Sequence, residues 1–285
     1  MNPDRSSGNE RVHRAMSADG TEIVGGVHGQ GPPLVLLPAG PGDSATAWEP
    51  MLAALGDRCT CYLLDTRSRG LSADHPDRRP ERLTEDVTSF VESLGEPVVL
   101  VSWGDVVWTH VAAQDNAAVA AVAAYEPVVP EAASEPDAAA VAELFGRVGQ
   151  LAAEGRLADA ARAAVESAGA IGVYTAEDLA SATDLWSASA SNIPLFLQEL
   201  QQAGESEMPS PTDATVLARV TVPVLLLHGS VSHPWVRDGV GHVAAHVADP
   251  RVREIDGAGH FGPHTHPEAV ADEVTRFLTA AHAQA

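Results

Sequence analysis

Two short stretches of this chain hold residue types that could do chemistry together. Pro97–Asp105 reads P-V-V-L-V-S-W-G-D, an apolar run that enters a Ser/Gly turn and then a helical pattern. A sharp strand-to-helix turn of this kind holds one side chain above a sheet. Gly257–His260 reads G-A-G-H and is followed by F-G-P-H-T-H-P-E. An imidazole brought to the turn could take the proton of the Ser102 hydroxyl and return it later. Without a hydroxyl, His260 could still act alone as a general acid or base. His264 and His266 lie close to His260, but such spacing alone does not make a ligand set, and no metal is expected.

Both stretches need a scaffold, and the rest of the chain supplies its pattern. Arg11–Ser17 and Thr21–His28 read as a hairpin around D-G, and Pro33–Pro38 as a strand covered on both faces. A helix over Ala45–Leu55 follows, with Trp48, Met51, Leu52 and Leu55 on one stripe. Cys59–Leu64 is a buried strand and Arg82–Leu94 an amphipathic helix. Val98–Val101 is the strand before the turn, Val106–Gln114 the helix after it, and Val119–Tyr125 the next strand. From Pro130 to about Val220 strands give way to Ala- and Glu-rich helical patterns. Pro223–Leu227 resumes the sheet, followed by a helix at Asp238–Val247, a strand at Val252–Ile255 and a final helix at Glu268–Ala281. Alternation of this kind predicts an α/β fold: a doubly wound, mostly parallel eight-stranded sheet with helices on both faces and a helical lid. The expected division is a disordered tail at 1–10, a core domain at 11–129, a lid at 130–220 and the second part of the core at 221–285.

Composition excludes several classes. All 17 basic residues are arginine, so Schiff-base chemistry and attachment of pyridoxal phosphate lack their amine, and no cofactor is expected. A phosphate loop ending in Gly-Lys-Ser/Thr is absent for the same reason. The net charge of −22 offers no basic stripe, so neither nucleic acid nor an anionic membrane is an expected partner; a small molecule is. No apolar run approaches the ~18 residues of a membrane span. The polar start of the chain lacks the apolar stretch of a secretory signal, and Cys59 and Cys61 read as core thiols, so a cytoplasmic protein is expected.

Six segments, in order, resemble the α/β-hydrolase fold superfamily. Leu37–Asp43 (L-P-A-G-P-G-D) is similar to that family's His-Gly-Gly-Pro-Gly loop, and Asp65–Ser72 (D-T-R-S-R-G-L-S) to its D-x-R-G-x-G-x-S turn. Leu94–Val101, Ala124–Pro127, Pro223–Gly229 and Gly257–Phe261 resemble the approach to the nucleophile, the end of the sixth strand, and the acid and histidine loops. The resemblance covers most of the chain outside the tail and the lid interior, and it speaks for fold more than for reaction.

The family pattern G-x-S-x-G admits two registers here. Counted from Pro97, the nucleophile position falls on Gly104, and the turn keeps its shape without a hydroxyl because glycine tolerates the strained conformation. Counted back from Glu126, Ser102 stands at a suitable distance, at the cost of Leu100 where a small residue belongs. The resemblance implies His260 as the general base. It also implies a carboxylate after the seventh strand, where this chain has Ser232, or after the sixth, where it has Glu126. Oxyanion donors would be the backbone N–H after the apex, Asp105 if the apex is Gly104, and one from Ala39–Gly40. Trp103, Trp186 and Trp235 are expected to line an apolar pocket, while Trp108 fits pocket or core equally.

Two functions follow. One is an enzyme acting on a small, largely apolar carbonyl compound, either by Ser102 attack or by His260 acid/base chemistry of lyase, cyclase or isomerase type. The other is a non-catalytic ligand-binding protein that keeps the pocket.

Overall fold

The computed structural model describes residues 11–282, so the tail expected at 1–10 lies outside the described residues. Eight strands form one sheet: β1 (Arg11–Met16), β2 (Glu22–Gly29), β3 (Pro33–Leu36), β4 (Thr60–Asp65), β5 (Val98–Trp103), β6 (Val119–Tyr125), β7 (Pro223–Gly229) and β8 (Asp249–Ile255). Their spatial order is β1-β2-β4-β3-β5-β6-β7-β8. β1 and β2 run antiparallel to their neighbours, and every later pair is parallel. The central strands are buried on both faces, which is why they read as continuous apolar runs rather than alternating ones.

Helices α1 (Ser44–Leu55), α2 (Pro80–Ser93) and α3 (Val107–Ala112) serve the first half of the sheet. Five helices fill the interval between β6 and β7: α4 (Glu135–Ala153), α5 (Leu157–Ala170), α6 (Asp178–Ala188), α7 (Ile193–Glu205) and α8 (Ala214–Leu217). These are the lid helices. α9 (Pro234–His246), α10 (Gly262–Thr265) and α11 (Pro267–His282) complete the second half. Ala160, Ala161, Ala163 and Ala164 of α5 are buried, so its alanine-rich sequence is a close-packing surface.

Two apolar layers sandwich the sheet. Val99, Val101 and Trp103 of β5 point into one, with α1, α11 and the lid. Val98 and Leu100 point into the other, with α2, α3 and α9. Cys59 and Cys61 are buried free thiols of the first layer. Burial pushes the Cys61 thiol up to about 12, which makes it inert.

β5 departs from its expected end. It continues through Ser102 and Trp103, which pair with Ala124 and Tyr125 of β6, so the turn starts two residues later than Val98–Val101 implied. β8 begins at Asp249 rather than Val252, because its polar first half pairs with β7 while its side chains face solvent.

Candidate functional site

The turn after β5 has a glycine at its apex. Gly104 has φ +71°, a left-handed conformation that suits glycine. Its N–H donates to Tyr125 O at 3.0 Å, and its carbonyl accepts from Val128 N–H at 2.9 Å, so the apex is held from both sides. A Cβ placed on Gly104 would stand 4.0 Å from His260 Nε2 and 3.9 Å from Val128 Cγ2. The space in front of the imidazole is therefore open.

Ser102 does not reach that space. It lies within β5, fully buried, with a sequence parity that turns it toward the layer of Val98 and Leu100. Its Oγ has no hydrogen-bond partner. The β-ladder takes in Ser102, opposite Ala124, and side chains alternate across a strand.

His260 Nδ1 lies 2.8 Å from Glu126 Oε2. With Glu126 as the acceptor, this hydrogen bond uses a proton on Nδ1 and leaves Nε2 facing the space above Gly104. Glu126 is fully buried and held at φ +46°, with its N–H on Leu227 O at 2.9 Å. Its Oε1 accepts the Gly229 N–H at 2.8 Å and the Ser232 hydroxyl. Ser232 thus stands where the resemblance allowed a carboxylate and supports the one that β6 provides.

Core aromatics hold the histidine loop. Tyr125 Oη donates to Gly259 O at 2.6 Å, and Trp103 Nε1 to His260 O at 2.8 Å. Tyr174, from the lid, stacks on the imidazole with ring centroids 5.9 Å apart and planes 10° from parallel. His264 Nε2 is 2.7 Å from Ala47 O, and His266 Nδ1 is 2.9 Å from Thr265 Oγ1, so both rings are engaged locally.

A cavity of about 610 Å³ opens over Gly104 and His260. Trp103, Val128, Phe145, Trp186 and Phe196 give it apolar walls, and Ala39, Gly40 and Asp105 also line it. Among the described residues, the N–H groups of Ala39 and Asp105 donate to no acceptor. Asp105 Oδ1 accepts the Val107 N–H at 2.7 Å, which turns the carboxylate to the start of α3. Burial, with Glu199 nearby, pushes its carboxyl up to about 6.

Two tryptophan expectations divide. Trp103 and Trp186 line the cavity; Trp235 does not, and its Nε1 donates to Val129 O at 3.0 Å. Trp108 belongs to the opposite apolar layer. Residues that sequence reasoning missed are Tyr174, Asp178 and Glu199 of the lid and Arg69 of the turn after β4. The second arginine of D-T-R-S-R-G was a usable signal for Arg69; the lid residues had none, because their contacts are long-range.

The profile of the alpha/beta hydrolase family matches residues 34–273, and the chain belongs to that family. An alpha/beta hydrolase from Sphaerobacter thermophilus DSM 20745 is similar at 24% identity, covering 93% of this chain and 99% of that one, with a TM-score of 0.68. The esterase RhEst1 from Rhodococcus sp. ECU1013 is similar at 21% identity, covering 95% and 99%, with a TM-score of 0.68. A bromoperoxidase from Bacillus anthracis is similar at 20% identity, covering 94% and 100%, with a TM-score of 0.71. At these identities the structures speak for the fold. A search of curated proteins gives no match. No helix among the described residues is long and apolar enough to cross a membrane.

Proposed function

We propose that this chain is an enzyme of altered hydrolase design, in which His260, oriented by Glu126, is the general acid/base and no serine nucleophile takes part. The substrate is a small, largely apolar carbonyl compound. The observation that carries the reading is the pairing of an aligned His260–Glu126 dyad with an apex that has no side chain. His260 Nε2 takes a proton from the carbon beside the carbonyl. The C–H electron pair becomes the new C=C bond, and the carbonyl oxygen takes the negative charge. The Ala39 and Asp105 N–H groups are the donors for that oxygen. Return of the proton at another carbon, attack of the enolate carbon on a second electrophilic carbon of the same molecule, or expulsion of a β leaving group with its bonding pair completes an isomerase-, cyclase- or lyase-type step, respectively. The walls of the cavity support an apolar substrate.

Deuterium exchange tests this without knowledge of the natural substrate. Acetophenone and related aryl ketones in D₂O, followed by mass spectrometry, should gain deuterium at the α carbon faster with the protein than without it. His260→Ala should lower that rate by roughly 10²-fold or more while circular dichroism stays native. Equal rates with the native chain and His260→Ala would remove the catalytic reading. The bare apex also favours a second reading, a ligand-binding protein without turnover, and that same result would support it.

A further inference from the structure

We propose that Asp178 and Glu199, both on lid helices, are positioning residues for the acid/base site. The proposal rests on the reading above and adds that the lid sets the geometry of both halves of the site. Asp178 fixes the histidine loop. Glu199, through Arg69, fixes the loop that offers the Ala39 N–H.

Asp178 opens α6 and is fully buried. Its Oδ1 accepts the N–H of Phe261, the residue after His260, at 3.0 Å, and its Oδ2 accepts the Thr175 N–H at 2.9 Å. The approach is close enough to dictate sequence. A Cβ on Gly259 would lie 2.3 Å from Asp178 Oδ2, so the second glycine of G-A-G-H makes room for a lid carboxylate. Tyr174, next to Thr175, stacks on the imidazole itself. The start of α6 therefore grips the base through its backbone and its ring.

Glu199 on α7 reaches the other loop through an intermediary. It takes Arg69 Nε at 3.3 Å on Oε1 and Arg69 Nη2 on Oε2. Arg69 Nη1 donates to Gly40 O at 2.6 Å and to Gly42 O at 2.8 Å. The Arg69 and Glu199 side chains are 3% and 13% exposed. Four of the five guanidinium N–H groups are spent on Gly40, Gly42 and Glu199, so the main work of Arg69 is that of a strut between the lid and this loop. Apolar side chains of similar volume would hold a cover as well as these buried charges, without their desolvation cost. What charge-assisted hydrogen bonds add is direction, and both sets end on backbone beside the reacting groups.

The test uses the full-length protein, the aryl-ketone exchange assay and amide NMR. Asp178→Ala and Glu199→Ala should each lower kcat about tenfold with KM unchanged. Asp178→Asn and Glu199→Gln keep an acceptor and should recover to within about threefold of the native rate. In the spectra, Asp178→Ala should shift the amides of His260 and Phe261 and broaden the low-field proton between His260 and Glu126, leaving Gly40 in place. Glu199→Ala should shift Ala39 and Gly40 and leave that proton in place. Losses shared equally by kcat and KM, no recovery in the amide variants, or shifts spread over the whole lid would overturn the proposal. If the native protein exchanges no ketone, the acid/base reading falls, and the location of the shifts still decides whether the lid sets the two loops.

Discussion

The two sides of the site differ in how firmly they are built. On the base side, His260 is bonded to Glu126, stacked on Tyr174 and carried on a loop tied down by Tyr125 and Trp103. Glu126 is in turn held by Gly229 and Ser232 in a left-handed backbone conformation, a type of strain that costs about 1–3 kcal/mol and persists when its surroundings over-determine it. On the nucleophile side, the turn keeps its conformation and its flanking hydrogen bonds, but the position facing Nε2 has no side chain. The base is fully oriented, and the turn presents a glycine to it. That difference favours chemistry in which the proton carrier matters and the covalent intermediate does not.

The largest effect expected from breaking the base side comes from Glu126→Gln. The Gln oxygen can still accept from Gly229 and Ser232, which leaves its NH₂ facing His260 Nδ1. Two donors cannot face each other, so the ring proton moves to Nε2 and the base loses its lone pair. A fall of roughly 10²–10⁴ in kcat for ketone exchange is expected, by analogy with wrong-tautomer variants of Ser-His-Asp enzymes. A fall of less than threefold would mean that Nε2 is not the working atom.

Gly104→Ser sharpens the comparison from the opposite side by placing a hydroxyl at the apex. The new Cβ meets nothing closer than 3.9 Å, so the site has room. Its φ of +71° costs a non-glycine residue about 1–2 kcal/mol. The native chain should show no labelling by a fluorophosphonate probe, and the folded variant should be labelled at residue 104. Labelling of the native protein at Ser102 would reverse the reading of both sides.

Asp105 separates the two designs by pH. Its carboxyl is raised from 3.8 to about 6 by burial, so the folded protein holds its proton more tightly than the unfolded chain does. Below pH 3.8 both states are protonated and the group costs nothing. Stability then falls as pH rises from 3.8 through about 6, and above that ionisation is complete in both states and the cost is fully present. Asp105→Asn keeps an acceptor for Val107 and should be more stable than the native chain by about 2–3 kcal/mol at pH 7.5 and by at most a few tenths of a kcal/mol at pH 3.5. Urea unfolding at the two pH values measures it; an equal gain at both would mean that ionisation of Asp105 is not the cause. An ionised carboxylate beside an enolate oxygen also repels it, so ketone exchange by this variant should fall off less above pH 6.

How legible this was from sequence depended on the range of the interaction. The sheet could be read because its central strands are buried on both faces and appear as uninterrupted apolar runs such as Pro33–Leu36. The apex was legible only as a choice. A proline at the strand entrance counts forward to Gly104, while the S-W-G triplet imitates a turn, and the pairing of Ser102 with Ala124, which supports the first count, is invisible in the sequence. Trp235 misled because an aromatic in the first turn of α9 carries no sign of which way its ring will face. Asp178 and Glu199 left no trace, since a carboxylate in an Ala/Glu-rich helix looks like surface until its partner, many residues away, is in place.

Ser102 provides the smallest effect and the cleanest control on the comparison. Its hydroxyl is fully buried and unpartnered, so it contributes a desolvation cost of about 1–3 kcal/mol with no hydrogen bond to offset it. Ser102→Ala removes that cost and leaves a void of a single oxygen, which takes back part of the gain. The expected result is a stability change of about +0.5 to +1 kcal/mol in denaturant titration, with ketone exchange within about twofold of the native chain. The two readouts point in different directions for the two registers. A nucleophile changed to alanine loses turnover whatever happens to stability, whereas a buried strand residue shifts stability and leaves turnover alone. A collapse of exchange in this variant, with the fold intact, would place the reactive hydroxyl below the apex and return the molecule to a serine mechanism.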